Sequence, residues 1–237
     1  MPVVTTRLPA AVLWDMDGTI VDTEPYWIRA ETELVRSFGG EWTDEDGLQL
    51  VGSGLWESAA VFQRAGVDLP ADDIVHRLTN RVREQLIETG VPWRPGAKEL
   101  LRELRDAGVP TALVTMSLRA MAEDIVSAID FEAFDALVAG DTVQHPKPHP
   151  EPYLRAAELL GVDIAACIAL EDSPPGVASA AASGAFAVGV PHIASLEGSD
   201  AHVLWPTLDG VTADILFDAA AAHLAAARTI QPEEAGA

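Results

Sequence analysis

The 237-residue chain has a single cysteine, Cys167, only two tyrosines, and 6% aromatic residues overall. One thiol excludes an intrachain disulfide framework and a cysteine-ligated zinc site. Set in the apolar run 165–170, it reads as a small core residue. Positive charge is also scarce: 15 Lys and Arg face 37 Asp and Glu, for a net charge of −22. Such a surface favours solubility, repels nucleic-acid phosphates and anionic membranes, and offers no basic arm. No run approaches the ~18 consecutive apolar residues of a membrane span, and no charged-then-apolar leader opens the sequence. A cytoplasmic protein with no nucleic-acid or membrane partner is the expectation. No internal repeat is present.

With 49% apolar residues the chain can bury a full core. Its length fits one large domain or a core plus a smaller unit. Short apolar runs at 12–14, 111–115, 136–139, 167–170 and 185–190 alternate with helical patterns at 97–107, 118–129, 152–160 and 176–183. That alternation predicts an α/β fold, a Rossmann-like, doubly wound parallel sheet. The strands are apolar throughout, as burial on both faces requires. Residues 23–90 break the rhythm with three helical stretches, 25–38, 55–65 and 71–89, and no convincing strand. Gly39-Gly40 and Gly66 end the first two, and Pro70 opens the third. The expected division is a core of residues 1–22 and 91–237 with an inserted α-helical cap at 23–90. An Ala-rich stretch, 218–228, reads as a terminal helix, and 232–237 as a frayed tail.

The first strand ends in Asp15-Met16-Asp17-Gly18-Thr19. Strand ends of open α/β sheets face the ligand crevice, and two carboxylates there can share a hard cation or divide nucleophile and acid/base roles. The same pentapeptide is also a common turn. Thr115 closes a second strand and doubles as a candidate helix N-cap. Lys147 lies in Gln144-His-Pro-Lys-Pro-His-Pro, where flanking prolines fix the backbone. Glu171-Asp172-Ser173 ends another apolar strand; adjacent like charges at such a position need a compensating cation or donor, or else merely cap the next helix.

In order and placement, Asp-x-Asp-Gly-Thr, Thr, Lys-Pro and Glu-Asp-Ser-x-x-Gly resemble the four motifs of the haloacid dehalogenase-like superfamily, in its subclass with a helical cap after the first strand. The resemblance implies a phosphoric monoester hydrolase acting on a small phosphorylated metabolite. Asp15 would be the nucleophile and Asp17 the acid/base. Thr115, Met116 and Lys147 would hold the phosphoryl group. Mg²⁺ would be bound by Asp15, Asp17 (through its carbonyl), Asp172 and, directly or through water, Glu171. The chain would act as a monomer or homodimer. Met116 stands where the family often has Asn, so a side-chain donor is lost. Glu24 and Trp27 are the candidate substrate contacts of the cap, with Trp56 and the 52–54 loop as further candidates. Related sugar phosphomutases carry a His at the position of Trp27 and an Arg near 51–55. Both are missing, which favours hydrolysis over a mutase. No lysine occurs between 23 and 90, so a Schiff-base lysine in the cap is excluded. A non-catalytic binder of the same fold would be expected to lose Asp15, Asp17 or Lys147; all three are present.

Overall fold

The computed structural model describes residues 8–50 and 52–229. Strands β1 (Ala11–Trp14), β2 (Thr111–Val114), β3 (Ala136–Val138), β4 (Cys167–Glu171), β5 (Phe186–Gly189) and β6 (Val203–Leu204) form one sheet. Its order is β3-β2-β1-β4-β5-β6, parallel throughout. The order reverses at β1, so the crevice for a ligand opens between the carboxyl ends of β1 and β4. In register, Leu13 pairs with Ala112 on one side and Ala169 on the other.

Alternation along β1 sorts its side chains to two faces. Val12 and Trp14 join the larger core with Leu113, Ile168, Leu170 and Val188. Leu100, Leu101 and Leu104 of α5 (Ala97–Asp106) extend that core, with Met121 and Ile125 of α6 (Arg119–Ser127) and Leu216 of α9 (Ala213–Thr229). Ala11 and Leu13 face the opposite side, where small residues such as Ala112, Ala169 and Ala187 let helices approach closely. Tyr153 and Ala156 of α7 (Glu151–Leu160) and Ala180 of α8 (Pro174–Ser183) pack there. Cys167 belongs to this second core, its thiol pushed up to about 12 by burial.

Between β1 and β2 lie α1 (Glu24–Ser37), α2 (Asp44–Leu48), α3 (Leu55–Arg64) and α4 (Ala71–Thr89). A stripe of Ile74, Val75, Leu78, Val82 and Leu86 on α4 packs toward Trp27, Leu34 and Val35 of α1 and Phe62 of α3. The five-residue α2 is too short to carry a helical period and escapes sequence pattern. Thr43 and Asp46 fix it by a reciprocal capping box. Strand β6, two residues at the sheet edge, escapes for the same reason. Helix α9 begins at Ala213, five residues before the expected start. The tail expected at 232–237 lies outside the described residues.

Two chain segments join the helical insert to the sheet, and they are tied to each other. Val21 bridges Trp93, the Asp22 amide donates to the Pro92 carbonyl at 2.8 Å, and Arg94 donates to that of Ile20 at 2.8 Å. His192, beyond β5, joins both: the Arg94 guanidinium donates to its Nδ1, and its Nε2 lies 2.8 Å from the Asp22 carboxylate. An Nδ1 that accepts leaves the proton on Nε2, which then donates to Asp22. Replacing His192→Ala should therefore lower stability by about 1–3 kcal/mol, since two charged partners lose a hydrogen bond. Urea denaturation measures it, and an unchanged midpoint would show that the relay holds nothing.

Candidate active site

Four loops at the carboxyl ends of the sheet build one site. Asp15 follows β1, Thr115 follows β2, Lys147 lies between β3 and α7, and Glu171 and Asp172 end β4. Lys147 Nζ donates to Asp15 Oδ1 at 2.6 Å, to Glu171 Oε1 at 2.6 Å and to the Val114 carbonyl at 2.9 Å. All three ammonium protons are thereby used. Glu171 Oε1 also accepts from the Tyr153 hydroxyl at 2.6 Å, and its Oε2 from Ser173 at 3.3 Å. Ser173 caps α8 through the Gly176 amide. Gly176 is required by contact, because a Cβ there would fall 1.9 Å from Glu171 Oε2.

Lys147, Asp15, Glu171 and Asp172 are 5%, 7%, 0% and 2% exposed, so three carboxylates share one ammonium away from water. Burial, then the charge of Glu171, pushes Asp15 up to about 7 against the pull of Lys147. Burial and the charges of Asp15 and Glu171 raise Asp172 well above the usual carboxylate range. Burial alone would lower Lys147, but its two carboxylate partners outweigh it and raise the ammonium above its ordinary value.

Carboxylate oxygens of Asp15, Glu171 and Asp172 lie within 4.8 Å of one another. Asp15 Oδ2 is buried with no hydrogen-bond partner. Gly18, at φ +86°, brings the turn so close that a Cβ would fall 2.0 Å from Asp172 Oδ2. An all-oxygen donor set with excess negative charge and an unpaired oxygen fits a hard divalent cation such as Mg²⁺. Both oxygens of Glu171 are already engaged, so Asp15 and Asp172 are the carboxylates free to meet it.

Asp17 sits at the edge of this cluster. It accepts from Thr23 at 2.5 Å, Thr115 at 3.2 Å and Ser117 at 2.7 Å. The Thr115 hydroxyl, expected on a phosphoryl oxygen, here donates to Asp17 and accepts from the Ser117 amide at 3.0 Å. Met116 lines the cleft, and its sulfur accepts the Lys147 amide at 3.4 Å. The cleft runs from Asp15, Asp17 and Asp172 to Glu24, Trp27 and Glu31 of α1, with Gly52 and Ser53 at one side. Its free volume of about 90 Å³ suits a phosphoryl-sized group. Trp56, bonded to Asp72, does not line this cleft; it lines a neighbouring one with Met116, Gly140 and Pro146.

A family model described as haloacid dehalogenase-like hydrolase matches residues 9–184. The chain belongs to that family. This hydrolase is 33% identical over 196 residues to hexitol phosphatase B of Escherichia coli, covering 79% of this chain and 86% of that one. Against fructose-1-phosphate phosphatase YqaB of the same organism, identity is 32% over 183 residues, covering 76% and 96%. Among solved structures, CbbY from Rhodobacter sphaeroides with xylulose-(1,5)bisphosphate superposes with a TM-score of 0.77. It is 29% identical, over 85% of this chain and 95% of that one.

Sequence pattern does not single out Tyr153, Ser117 or Glu31. Glu31 carries a visible signal, as a lone charge in the buried stripe Trp27, Ala30, Glu31, Leu34, Val35. Burial pushes it up to about 8, with the nearby charge of Glu24 adding and the Trp42 Nε1–H bond at 3.3 Å opposing. Glu24 is raised to about 7 by burial and by Asp17 and Asp22. A carboxyl raised in the folded state costs stability as pH climbs from its unfolded value, 4.5, through about 8. Glu31→Gln should match the parent at pH 5 and exceed its stability at pH 9 by on the order of 1–3 kcal/mol. Urea melts at both pH values decide it; equal stability at pH 9 would contradict the burial of a costly charge.

Proposed function

We propose that this hydrolase is a Mg²⁺-dependent phosphatase of small phosphorylated metabolites, of the sugar-phosphate kind, working through an aspartyl-phosphate on Asp15. The observation that carries the reading is Asp15 itself: Oδ1 is gripped by Lys147, while Oδ2 is buried, unpaired and beside the cleft. Such an oxygen is placed to attack phosphorus, forming a P–O bond as the ester oxygen leaves. The relatives named hexitol phosphatase and fructose-1-phosphate phosphatase support the substrate class.

Asp17 protonates the leaving oxygen and then takes a proton from the water that attacks the intermediate. Its Thr23, Thr115 and Ser117 partners hold it at the cleft edge before substrate arrives. Lys147 favours the ionised form of Asp15 and sets its positive charge near the transferring phosphoryl group, with Thr115 and the Met116 amide beside it. Asp15, Asp172 and the Asp17 carbonyl, with Glu171 behind, would hold Mg²⁺, which would neutralise phosphoryl charge that the acidic protein otherwise repels. Residues 23–90 act as a cap domain over a core of residues 1–22 and 91–237. Trp27 and Glu24 meet the substrate's remote end.

Asp15→Asn should remove turnover while leaving the fold intact, since the amide is nearly isosteric but a poor nucleophile. Normal activity in a clean preparation would exclude covalent catalysis. Asp17→Asn should cost roughly 10²–10⁴ in kcat, with a smaller loss on aryl phosphates, which need less leaving-group protonation. An equal loss on aryl and alkyl esters would remove Asp17 from the first step. EDTA should abolish activity, Mg²⁺ restore it, and Ca²⁺, with its longer bonds and higher coordination, inhibit it. A phosphate-release screen across sugar monophosphates tests the class. With β-glucose 1-phosphate and a trace of the 1,6-bisphosphate, free phosphate should accumulate; glucose 6-phosphate instead would make the protein a mutase.

A further inference from the structure

A second group of metal-type ligands lies outside the catalytic cleft, on the segment that carries Lys147. His145, His149 and Glu151 each present a ligand atom, all within 4.8 Å of one another. His145 and His149 are exposed, and no step of the proposed reaction uses any of the three. We propose that they form a surface site for a borderline divalent transition ion of the Zn²⁺ class.

The donor set decides the class of ion. Two imidazoles and one carboxylate suit Zn²⁺, Ni²⁺ or Cu²⁺, whereas Mg²⁺ and Ca²⁺ prefer all-oxygen shells such as the catalytic cluster. Three protein ligands leave a fourth position for water. Separation fits as well. His145 Nδ1 and Glu151 Oε2 are 2.8 Å apart. Two ligands on tetrahedral zinc, each about 2.0–2.1 Å from the metal, stand about 3.3 Å apart. Opening the pair by about half an ångström admits the ion. The two imidazole rings already face each other at 4.6 Å between centroids, tilted by 31°.

The segment is also held in place before any ion arrives. Pro146, Pro148 and Pro150 restrict its backbone. Glu151 accepts from the amides of Gln144 at 2.7 Å and His145 at 3.0 Å. The Glu151 amide donates to His149 Nδ1 at 3.2 Å, and Ser179 of α8 donates to the His149 carbonyl at 2.6 Å. Little ordering entropy then remains to be lost on binding. The net charge of −22 raises the local cation concentration further.

Equilibrium dialysis with Zn²⁺, in saturating Mg²⁺, compares the parent with the double variant His145→Ala/His149→Ala, which leaves the Glu151 carboxylate in place. Zinc taken up by the catalytic carboxylates appears equally in both. The parent should bind one more equivalent than the variant, with at least tenfold tighter affinity for that equivalent. Equal uptake would overturn the proposal. Imidazole ¹⁵N signals of the parent give an answer that does not depend on the variant folding. One equivalent of Zn²⁺ should shift the rings of His145 and His149; shifts confined to other histidines, such as His202 and His223, would also overturn it.

Discussion

Everything at the carboxyl end of the sheet is arranged around one buried ammonium. Lys147 spends its three protons on Asp15, Glu171 and the Val114 carbonyl, and so ties together the ends of β1, β4 and β2. Removing the ammonium would strand buried carboxylate charge, which is far costlier than losing a surface ion pair. The supports follow from that constraint. Tyr153 from α7 and Ser173 at the start of α8 satisfy the rest of Glu171, and Gly176 lets the helix reach it. Three carboxylates against one ammonium leave two negative charges, which a hard cation would balance.

The helical insert meets this core through polar contacts that run in series. Thr23, the residue before α1, bonds Asp17, while Asp22 one residue earlier bonds His192. Any rotation of the insert about its paired linkers therefore moves groups that touch the Asp17 carboxylate. Inside the cleft the insert contributes carboxyls, Glu24 and Glu31, and aromatic surface from Trp27. Among the described residues, no cation of the insert lines it. A second phosphate on the substrate would meet carboxyls, the neutral Ser53 and Ser58, and apolar surface there, which agrees with hydrolysis of a monoester.

Legibility in the sequence followed length and periodicity. The apolar runs at 12–14 and 167–170 are continuous because both faces of the sheet are covered, and they fall on β1 and β4. The acidic pairs stand out because charged side chains are rare at the buried ends of apolar strands unless something pairs with them. Short or tertiary features carry no such pattern: α2 depends on a capping box, β6 on two residues of edge pairing. Thr115 was legible as a strand-end hydroxyl, but not as a partner of Asp17, because the bond spans 98 residues. Tyr153 is a buried core residue, and only the fold shows that its hydroxyl ends on Glu171.

In the proposed reaction Asp15 Oδ2, left free while Lys147 holds Oδ1, takes up the phosphoryl group. Rapid quenching during turnover of a sugar monophosphate, followed by borohydride reduction and peptide mass spectrometry, tests it directly. Hydride converts an acyl phosphate to the alcohol, so homoserine is expected at position 15, formed only with both substrate and Mg²⁺ present. Reduction at another carboxylate, or none at any while phosphate release continues, would contradict it.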